Sequence, residues 1–499
     1  MRKYYFIALL LGTILVACYE DKGNYTYHDT LEAVIEVEER YTVLRFDTLR
    51  ISPEISTLHG DDTYDYLWIL YRMNELVDTI GREKELVYPM IRTSDQYRIV
   101  LAVTSRSTGI SYWRYIDLAV TSRESRGWYV FKNIDGHADA DFFLDSGEDV
   151  IPNFLESTHG YYMKGEARRL SFLSEYQDYV DYQDPSRGCT WAVRMFFISD
   201  QDILVYDPVE AAVTRDALEL FYRYPDVLNT HAIFGAVDEA YILANGTLYD
   251  MPLMLVSSGR FGSPRKLQDG RECKLSPYAG VLPESTTSPL LFDELSRTFL
   301  LKYMYIVALS PHDNPILRDM PYNLVFMGTK FTKPMNYGRA YALMQHDADR
   351  SWKIFGIQIG DGETEDVTEY AVPDTSGLIT APFRAQHARL DIVYYTRENR
   401  IIAYNILDGR ETVVHEIPAD EQFTMLKCEF DVSRSQSQWK VPAHLLVFAT
   451  NKGEEYTLSL YYTNENTGLL AGKYKHFRGK GRPVDVKHGS PDGAATVNI

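Results

Sequence analysis

Cysteine is scarce in this chain: 499 residues hold only Cys18, Cys189, Cys273 and Cys428, with no C-x-x-C pair among them. Once Cys18 is set aside for the reason given below, an odd number remains, which excludes a complete disulfide framework and allows one bridge at most. Cys189, Cys273 and Cys428 read as buried small hydrophobes. Long apolar runs are also missing. The longest, Phe6 to Ala17, is shorter than the ~20 residues that a spanning helix needs, so a transmembrane protein is not expected. Positive charge is short as well: 51 Lys and Arg stand against 70 Asp and Glu, a net charge of −19. Such a surface repels nucleic acid and anionic lipid, so no nucleic-acid partner is expected. The basic cluster Lys473, Lys475, Arg478, Lys480 and Arg482 reads as a local solvated face. Enzyme signatures are lacking too: there is no His-Glu-x-x-His, no Gly-x-Ser-x-Gly and no phosphate-cradling glycine loop, and the twelve histidines are scattered singly. No catalytic residue, cofactor or metal ligand is therefore assigned, and the chain reads as a non-enzyme.

What is present begins at the N-terminus. Arg2 and Lys3, the apolar run and then Leu15-Val16-Ala17-Cys18 make a secretory signal that ends in a lipobox, so residues 1–17 read as a signal peptide and Cys18 as the lipid-modified first residue. A plain secreted protein with a chance cysteine is the rival reading. Loss of Arg2 and Lys3 leaves 49 basic against 70 acidic residues, a net of −21. Glu20 and Asp21 directly after Cys18 resemble the export signal that carries Bacteroidota lipoproteins to the outer face of the outer membrane. Residues 18–30 then read as anchor and tether, with a first strand beginning within 19–28.

From 31 to 122 short alternating strands separated by turn residues read as a small β-sandwich. Tyr66, Trp68 and Leu70 fall on one face of a strand, with Trp68 as the core tryptophan, and Tyr97, Ile99, Leu101 and Val103 fall together on another. Ser122 to Gly127 marks a boundary. Beyond it, residues 127–488 repeat one unit, a buried strand, a turn and a more exposed strand, as in 195–207, 232–243, 392–405 and 445–456. The recurrence is that of propeller blades, and about 360 residues at roughly 50 per blade give about seven. Two further sandwiches in series are the competing all-β arrangement. Helix is scarce, Asp216 to Tyr222 being one candidate. Residues 484–499 look like a frayed tail, with the domain limit set at 488 and a tail over 489–499.

Two acidic stretches need weighing. Asp135-Gly136-His137-Ala138-Asp139-Ala140-Asp141 has oxygen ligands at alternate positions, but its glycine is misplaced for an EF-hand and no Glu closes it, so a turn followed by a half-exposed strand is the expectation rather than a calcium loop. Asp361 to Asp366 reads as a solvated loop. The 38 tyrosines suit contact with proteins, sugars or peptides, although strands favour tyrosine in any case. Tyr161-Tyr162, Tyr394-Tyr395 and Tyr461-Tyr462 each direct one ring to either face of a strand.

Tyr-x-Trp-x-apolar followed by Asp-x-Tyr-x-Ile-x-Leu-x-Val-Thr resembles the PKD variety of immunoglobulin-like domain, except that Arg72 to Glu75 replaces the usual glycine-containing turn. The whole layout, the anchor decapeptide Cys18 to Tyr27, the PKD-like domain and Gly127-Trp128-Tyr129-Val130 opening a long β region, resembles the PKD-like lipoproteins of Bacteroidota. That resemblance implies an accessory of SusC/SusD-like uptake systems, lipid-anchored on the outer membrane and facing the exterior. It brings no catalytic residues. The function expected is capture of nutrient oligomers, glycan or peptide, or docking on a SusC/SusD-like complex, through the propeller. A propeller-type hydrolase, its carboxylates drawn from different blades, and an adhesion or envelope scaffold are the alternatives.

Overall fold

A computed structural model describes residues 33–489 and 496–498, apart from residues 46, 58–62, 73–74, 93–94, 122–126, 145–148, 180–187, 236–238, 253–258, 283–287, 304–305, 307, 332–336, 361–365 and 432–443. The chain is all-β, an immunoglobulin-like sandwich followed by a propeller, and it divides into two compact units, the second running from Ala119 onward and taking in Thr42–Asp47 and Met90–Asp95 from the sandwich region. Among the described residues no helix is long and apolar enough to cross a membrane.

In the smaller unit five strands form one sheet in the order Arg40–Leu44, Ser111–Thr121, Asp95–Ser105, Tyr64–Arg72, Glu75–Gly81. Two short pairs, Ala33–Glu36 with Glu54–Thr57 and Thr48–Ile51 with Leu86–Pro89, complete the sandwich. Register carries the alternation read from the sequence into space. Tyr66 lies opposite Val103, Trp68 opposite Leu101 and Leu70 opposite Ile99, so these residues share one face. Trp68, Leu70, Ile99, Leu101 and Val103 are fully buried. The indole N–H of Trp68 donates to the Glu83 carbonyl at 2.8 Å, which satisfies the one polar atom of that ring. Gly81 packs so close to it that a Cβ would stand 2.9 Å from Leu86 and 3.1 Å from Trp68.

Among the described residues the larger unit is a ring of seven antiparallel sheets. From inner to outer edge, blade 1 is Arg482–Gly489, Gly127–Ile134, His137–Leu144, Val150–Ile151; blade 2 is Ala167–Tyr179, Cys189–Ser199, Ile203–Asp207, Ala212–Asp216. Blade 3 is Thr230–Gly235, Glu239–Ala244, Thr247–Pro252, and blade 4 is Leu290–Asp293, Thr298–Leu301, Ser310–Pro311, with bridges from Leu275 and Gly280 extending its inner edge. Blade 5 is Tyr322–Phe331, Tyr337–His346, Trp352–Gly360, Val367–Val372, and blade 6 is Arg384–Gln386, Ile392–Arg397, Arg400–Asn405, Glu411–Glu416. Blade 7 is Gln422–Asp431, Leu445–Lys452, Glu455–Thr463, Leu470–Lys480. All four hairpins picked from the sequence are paired strands of single blades, in blades 2, 3, 6 and 7.

Apolar clusters fill the seams between neighbouring blades: Phe196 and Ile198 with Ile233 and Ile242, Leu243 with Leu291 and Leu300, Tyr341 with Tyr395 and Tyr404, Tyr394 with Leu446 and Phe448, Trp128 and Val130 with Val447 and Leu458. The two-residue period of a strand splits consecutive side chains between seams. Tyr129 and Phe131 thus pack against blade 2 while Trp128 and Val130 pack against blade 7, and Tyr394 and Tyr395, both fully buried, serve opposite seams.

Several expectations change. In blade 7 the second strand of the hairpin, Glu455–Thr463, is the more exposed one, but in blades 2 and 3 it is not: Ile203–Asp207 and Glu239–Ala244 are buried throughout, because the middle of a blade is covered on both faces. For the same reason His137–Leu144 is buried, not half-exposed. Residues 484–489 are not frayed. Arg482–Gly489 is the innermost strand of blade 1, hydrogen-bonded along Gly127–Asn133, so the end of the chain closes the ring onto its first blade. Its Pro483, Asp485, Lys487 and His488 look like tail residues, yet from Pro483 on nearly all of its side chains are buried. Thr496–Asn498 pairs with Glu429 to Asp431 on the inner edge of blade 7. The helix candidate at 216–222 is a single 3-10 turn, Ala217–Leu220, capped by the Asp216 carboxylate, and a short helix at Phe154–His159 has no counterpart in the sequence reading. Cys428 is buried, whereas Cys189 and Cys273 are only partly so.

Candidate functional site

In such a blade the turn between the second and third strands and the connection to the next blade emerge at the same end. They lie together: the Tyr161 hydroxyl, from the connection between blades 1 and 2, donates to Asp202 in the central turn of blade 2 at 2.9 Å, and Leu275 N–H donates to the Gly246 carbonyl at 2.7 Å. Asp135-Gly136 and Asn245-Gly246 both form these turns with two successive positive φ angles, the geometry of tight hairpins that Asp-Gly and Asn-Gly favour. One end of the ring therefore gathers the turns and the longer connections.

This end carries two features suited to binding. Over blades 1 to 3 it exposes Tyr162, Leu218, Tyr222, Tyr224 and Val227, large side chains that a solvated loop has no need of. Between blades 6 and 7 it opens a cleft of about 480 Å³. Phe383 comes from the connection into blade 6, Thr396, Glu398 and Asn399 from its central turn, and Glu421, Gln422 and Phe423 from the entry to blade 7. Two phenyl rings beside two carboxylates and two amides combine an apolar surface with hydroxyl-binding groups. Glu421 accepts from the Thr450 hydroxyl and the Asn399 amide donates to the Ile417 carbonyl, so both walls are braced from behind. The Thr396 hydroxyl is buried in the wall without a hydrogen-bond partner.

At the inner edge of blades 1 and 7 four charged side chains meet. The Lys427 ammonium lies 2.5 Å from Asp485 and 2.5 Å from Glu429, and Lys487 lies 3.4 Å from the other oxygen of Glu429. Two carboxylates meet here as they do in glycosidases, but that chemistry needs one of them protonated at working pH. Burial alone would raise the Asp485 carboxyl, yet Lys427 and Lys487 outweigh it and hold it below the ordinary carboxylate range. Burial is also the main influence on Lys487, bringing it down to about 8. Asp485 further accepts the Leu170 N–H of blade 2 at 2.8 Å, so the cluster ties blades 7, 1 and 2 together as a staple. An acid held ionised in this way is unsuited to donate a proton.

Among the described residues one set of side chains converges as metal ligands do: His137 and Asp139 on the third strand of blade 1, and Glu156 on the Phe154–His159 helix, with ligand atoms within 4.8 Å of one another. The alternate-position motif that suggested calcium does not assemble, because Asp141 turns to Lys132, 2.5 Å away, and to the Tyr456 hydroxyl of blade 7 at 2.7 Å. Neither the cleft nor the histidine set was legible beforehand. Each draws its residues from separate connections, and only the His137-x-Asp139 spacing on one strand offered a signal.

Of the residues singled out from the sequence, Cys18, Glu20, Asp21 and the stretch 361–365 lie outside the described residues. Lys473, Lys475, Arg478 and Lys480 of the basic cluster lie on the outermost strand of blade 7, largely exposed, as expected of a solvated face, whereas Arg482, also exposed, opens the innermost strand of blade 1. Tyr161 and Tyr162 do not lie on a strand, and Tyr162 instead stacks on the His137 ring.

The fold and these sites define an all-β protein built of a PKD-like domain and a propeller. A model of the PKD-like family matches residues 18–167, under a third of the chain. Among solved structures the chain is similar to a quinonprotein alcohol dehydrogenase-like protein from Bacteroides thetaiotaomicron, with 11% identity and a TM-score of 0.42 over 90% of this chain and 96% of that one. It is also similar to the extracellular domain of a hybrid two-component system from the same species, with 10% identity, TM-score 0.36, and 93% and 70% covered. A third is the Nup133 β-propeller domain of Vanderwaltozyma polyspora, with 9% identity, TM-score 0.31, and 61% and 91% covered. No curated protein sequence matches the chain.

Proposed function

We propose that the mature chain is a non-catalytic lipoprotein, anchored through Cys18 on the outer membrane and facing the exterior, that captures neutral oligomers on the connection-bearing end of its propeller. The observation that carries the reading is the cleft between blades 6 and 7, where Phe383 and Phe423 supply stacking surface and Glu398, Asn399, Glu421 and Gln422 supply partners for hydroxyl or amide groups. Its acidic lining and the chain's net negative charge disfavour polyanions and leave glycans and peptides as ligands. The lipobox and the Glu20-Asp21 pair support the anchor and its side of the membrane, and the likeness of the anchor decapeptide and the Gly127 to Val130 stretch to PKD-like lipoproteins supports partnership with a SusC/SusD-like uptake complex. The axial acids are neutralised by lysines, which favours binding over hydrolysis.

Calorimetry of the full mature chain against neutral glycan oligomers and peptides tests the reading. Saturable binding that Phe383→Ala or Phe423→Ala weakens about tenfold, a loss of about 1.4 kcal/mol, is expected. Absence of binding to either class, together with failure to co-purify with a SusC/SusD-like pair, overturns it.

A further inference from the structure

His137 is 5% exposed, yet neither of its ring nitrogens has a hydrogen-bond partner. Buried polar atoms are nearly always paired, so an imidazole stranded in this way needs a reason. Its surroundings supply one. Asp139, two residues along the same strand, projects to the same side, and its carboxylate Oδ2 lies 4.0 Å from His137 Nε2. Glu156 brings its Oε2 to 3.8 Å from the same nitrogen. Both distances are too long for hydrogen bonds. They are close to the separations of about 3 to 4 Å between donor atoms that share one cation at about 2.0–2.2 Å.

The arrangement is built, not incidental. The residue before the Phe154–His159 helix, Asn153, has φ 48° and offers no side-chain cap. Asp139 reaches across from the strand in its place, accepting from Leu155 N–H at 2.9 Å and from Glu156 N–H at 3.4 Å. One carboxylate thereby holds the first turn of the helix over the strand and fixes the backbone from which the Glu156 side chain turns back towards His137. Tyr162 stacks on the imidazole with ring centroids 4.3 Å apart, fixing its plane. Glu156 itself is half exposed, so it is free to close the remaining gap and leaves one side of the site open to water.

We infer that His137, Asp139 and Glu156 form a binding site for a divalent first-row transition cation at the connection-bearing end of blade 1. One imidazole and two carboxylates suit zinc or manganese better than calcium, which takes only oxygen ligands. A cation at this point would pair the stranded imidazole nitrogen and lie between the two carboxylates that approach it. With three protein ligands and an open side, the site is of the kind that keeps a water or admits a ligand atom. It stands apart from the cleft between blades 6 and 7 and does not depend on what that cleft holds.

The test is titration of the untagged, chelator-treated full mature chain with zinc chloride, read by calorimetry and by metal content after dialysis. One equivalent of zinc is expected, with affinity falling about tenfold or more in His137→Gln and in Glu156→Gln. Glu156→Gln is the cleaner variant, because its side chain is exposed and its cap hydrogen bond comes from the backbone; circular dichroism verifies that each variant is folded. Failure of the native chain to retain zinc, or retention by folded Glu156→Gln at undiminished affinity, overturns the assignment.

Discussion

The two units spend their charges differently. In the sandwich the ion pairs lie on the surface: Arg98 with Asp117, Arg106 with Asp65 and Arg114 with Glu39 are all between non-buried side chains, and the core beneath them is apolar around Trp68. In the propeller, exposed pairs such as Arg271 with Asp269 and Lys452 with Asp420 are joined by others that lie inside. Lys132 with Asp141, Arg194 and Arg215 with Asp178, Lys302 with Glu239 and Asp250, and Lys487 with Glu429 are buried at or near the seams. Several cross from one blade to the next, as Lys302 of blade 4 reaches blade 3 and Tyr456 of blade 7 reaches Asp141 of blade 1. A sandwich closes its core with two sheets whose register is set by their own strands. A ring must align seven separate sheets, and apolar seams alone are non-directional. Buried ionic contacts add direction at a desolvation cost that a sandwich of this size avoids.

The contrast breaks most visibly at Lys302. Lys302→Met would leave Glu239 facing Asp250 with its ammonium gone, and removal of one partner from a buried pair costs about 3–5 kcal/mol. Urea unfolding of the propeller should show that loss. An unchanged midpoint would mean that these pairs do not hold the seam between blades 3 and 4. The sandwich should be equally sensitive only in its apolar centre. Trp68→Ala removes a fully buried indole and its hydrogen bond to Glu83, for which about 3–5 kcal/mol is expected, read as earlier proteolysis or melting of the N-terminal unit.

The sandwich core was legible in the sequence because its period of two maps onto one buried and one wet face; Trp68, Leu70, Ile99 and Leu101 follow it. The hairpins of the propeller were legible from the recurrence of an apolar strand, a turn and a second strand. Their burial was not, since a blade covered on both sides reads as a plain apolar run and gives no alternation. Arg482–Gly489 was missed for the converse reason. It is a closing strand placed by the far end of the sequence, and its Asp485 and Lys487 are buried only because Lys427 and Glu429 await them from blade 7. The cleft and the histidine set depend on connections that only the ring brings together.

Acid should sharpen the same contrast at intermediate scale. His387 of the propeller is buried, its Nδ1 accepting from Arg389 and Leu390 N–H, so its proton sits on Nε2 towards the Thr463 hydroxyl. Burial first, then His444, Arg389 and Lys330, bring its pKa down to about 3. The unfolded chain, titrating near 6.5, then binds more protons than the folded one between those values. Stability is therefore full above pH ~6.5 and falls as pH drops through the window, by up to about 1.4 kcal/mol per unit. His159, His231, His312, His415 and His476 are shifted in the same direction, each chiefly by burial. Unfolding free energy measured between neutral pH and about pH 5 should decline, and decline less steeply in His387→Gln. Equal slopes would locate the acid sensitivity elsewhere.

The smallest effect is expected where the sandwich carries its charge. Arg106 grips Asp65 through two hydrogen bonds, at 2.9 and 2.6 Å, but both side chains are more than half exposed. Water replaces either partner at little cost, and salt screens what remains. Asp65→Asn should leave the melting of the N-terminal unit unchanged and insensitive to added salt, whereas Asp178→Asn, a like change of one acid, should destabilise the propeller by stranding Arg215 beside Arg194. Contact distance does not distinguish the two sites, for Asp178 holds Arg194 at the same 2.6 Å. Burial does, together with the second arginine that Asp178 carries. A measurable loss at Asp65 would mean that these exposed pairs act as a network across the sheet, and the division of labour between the units would then rest on topology instead of desolvation.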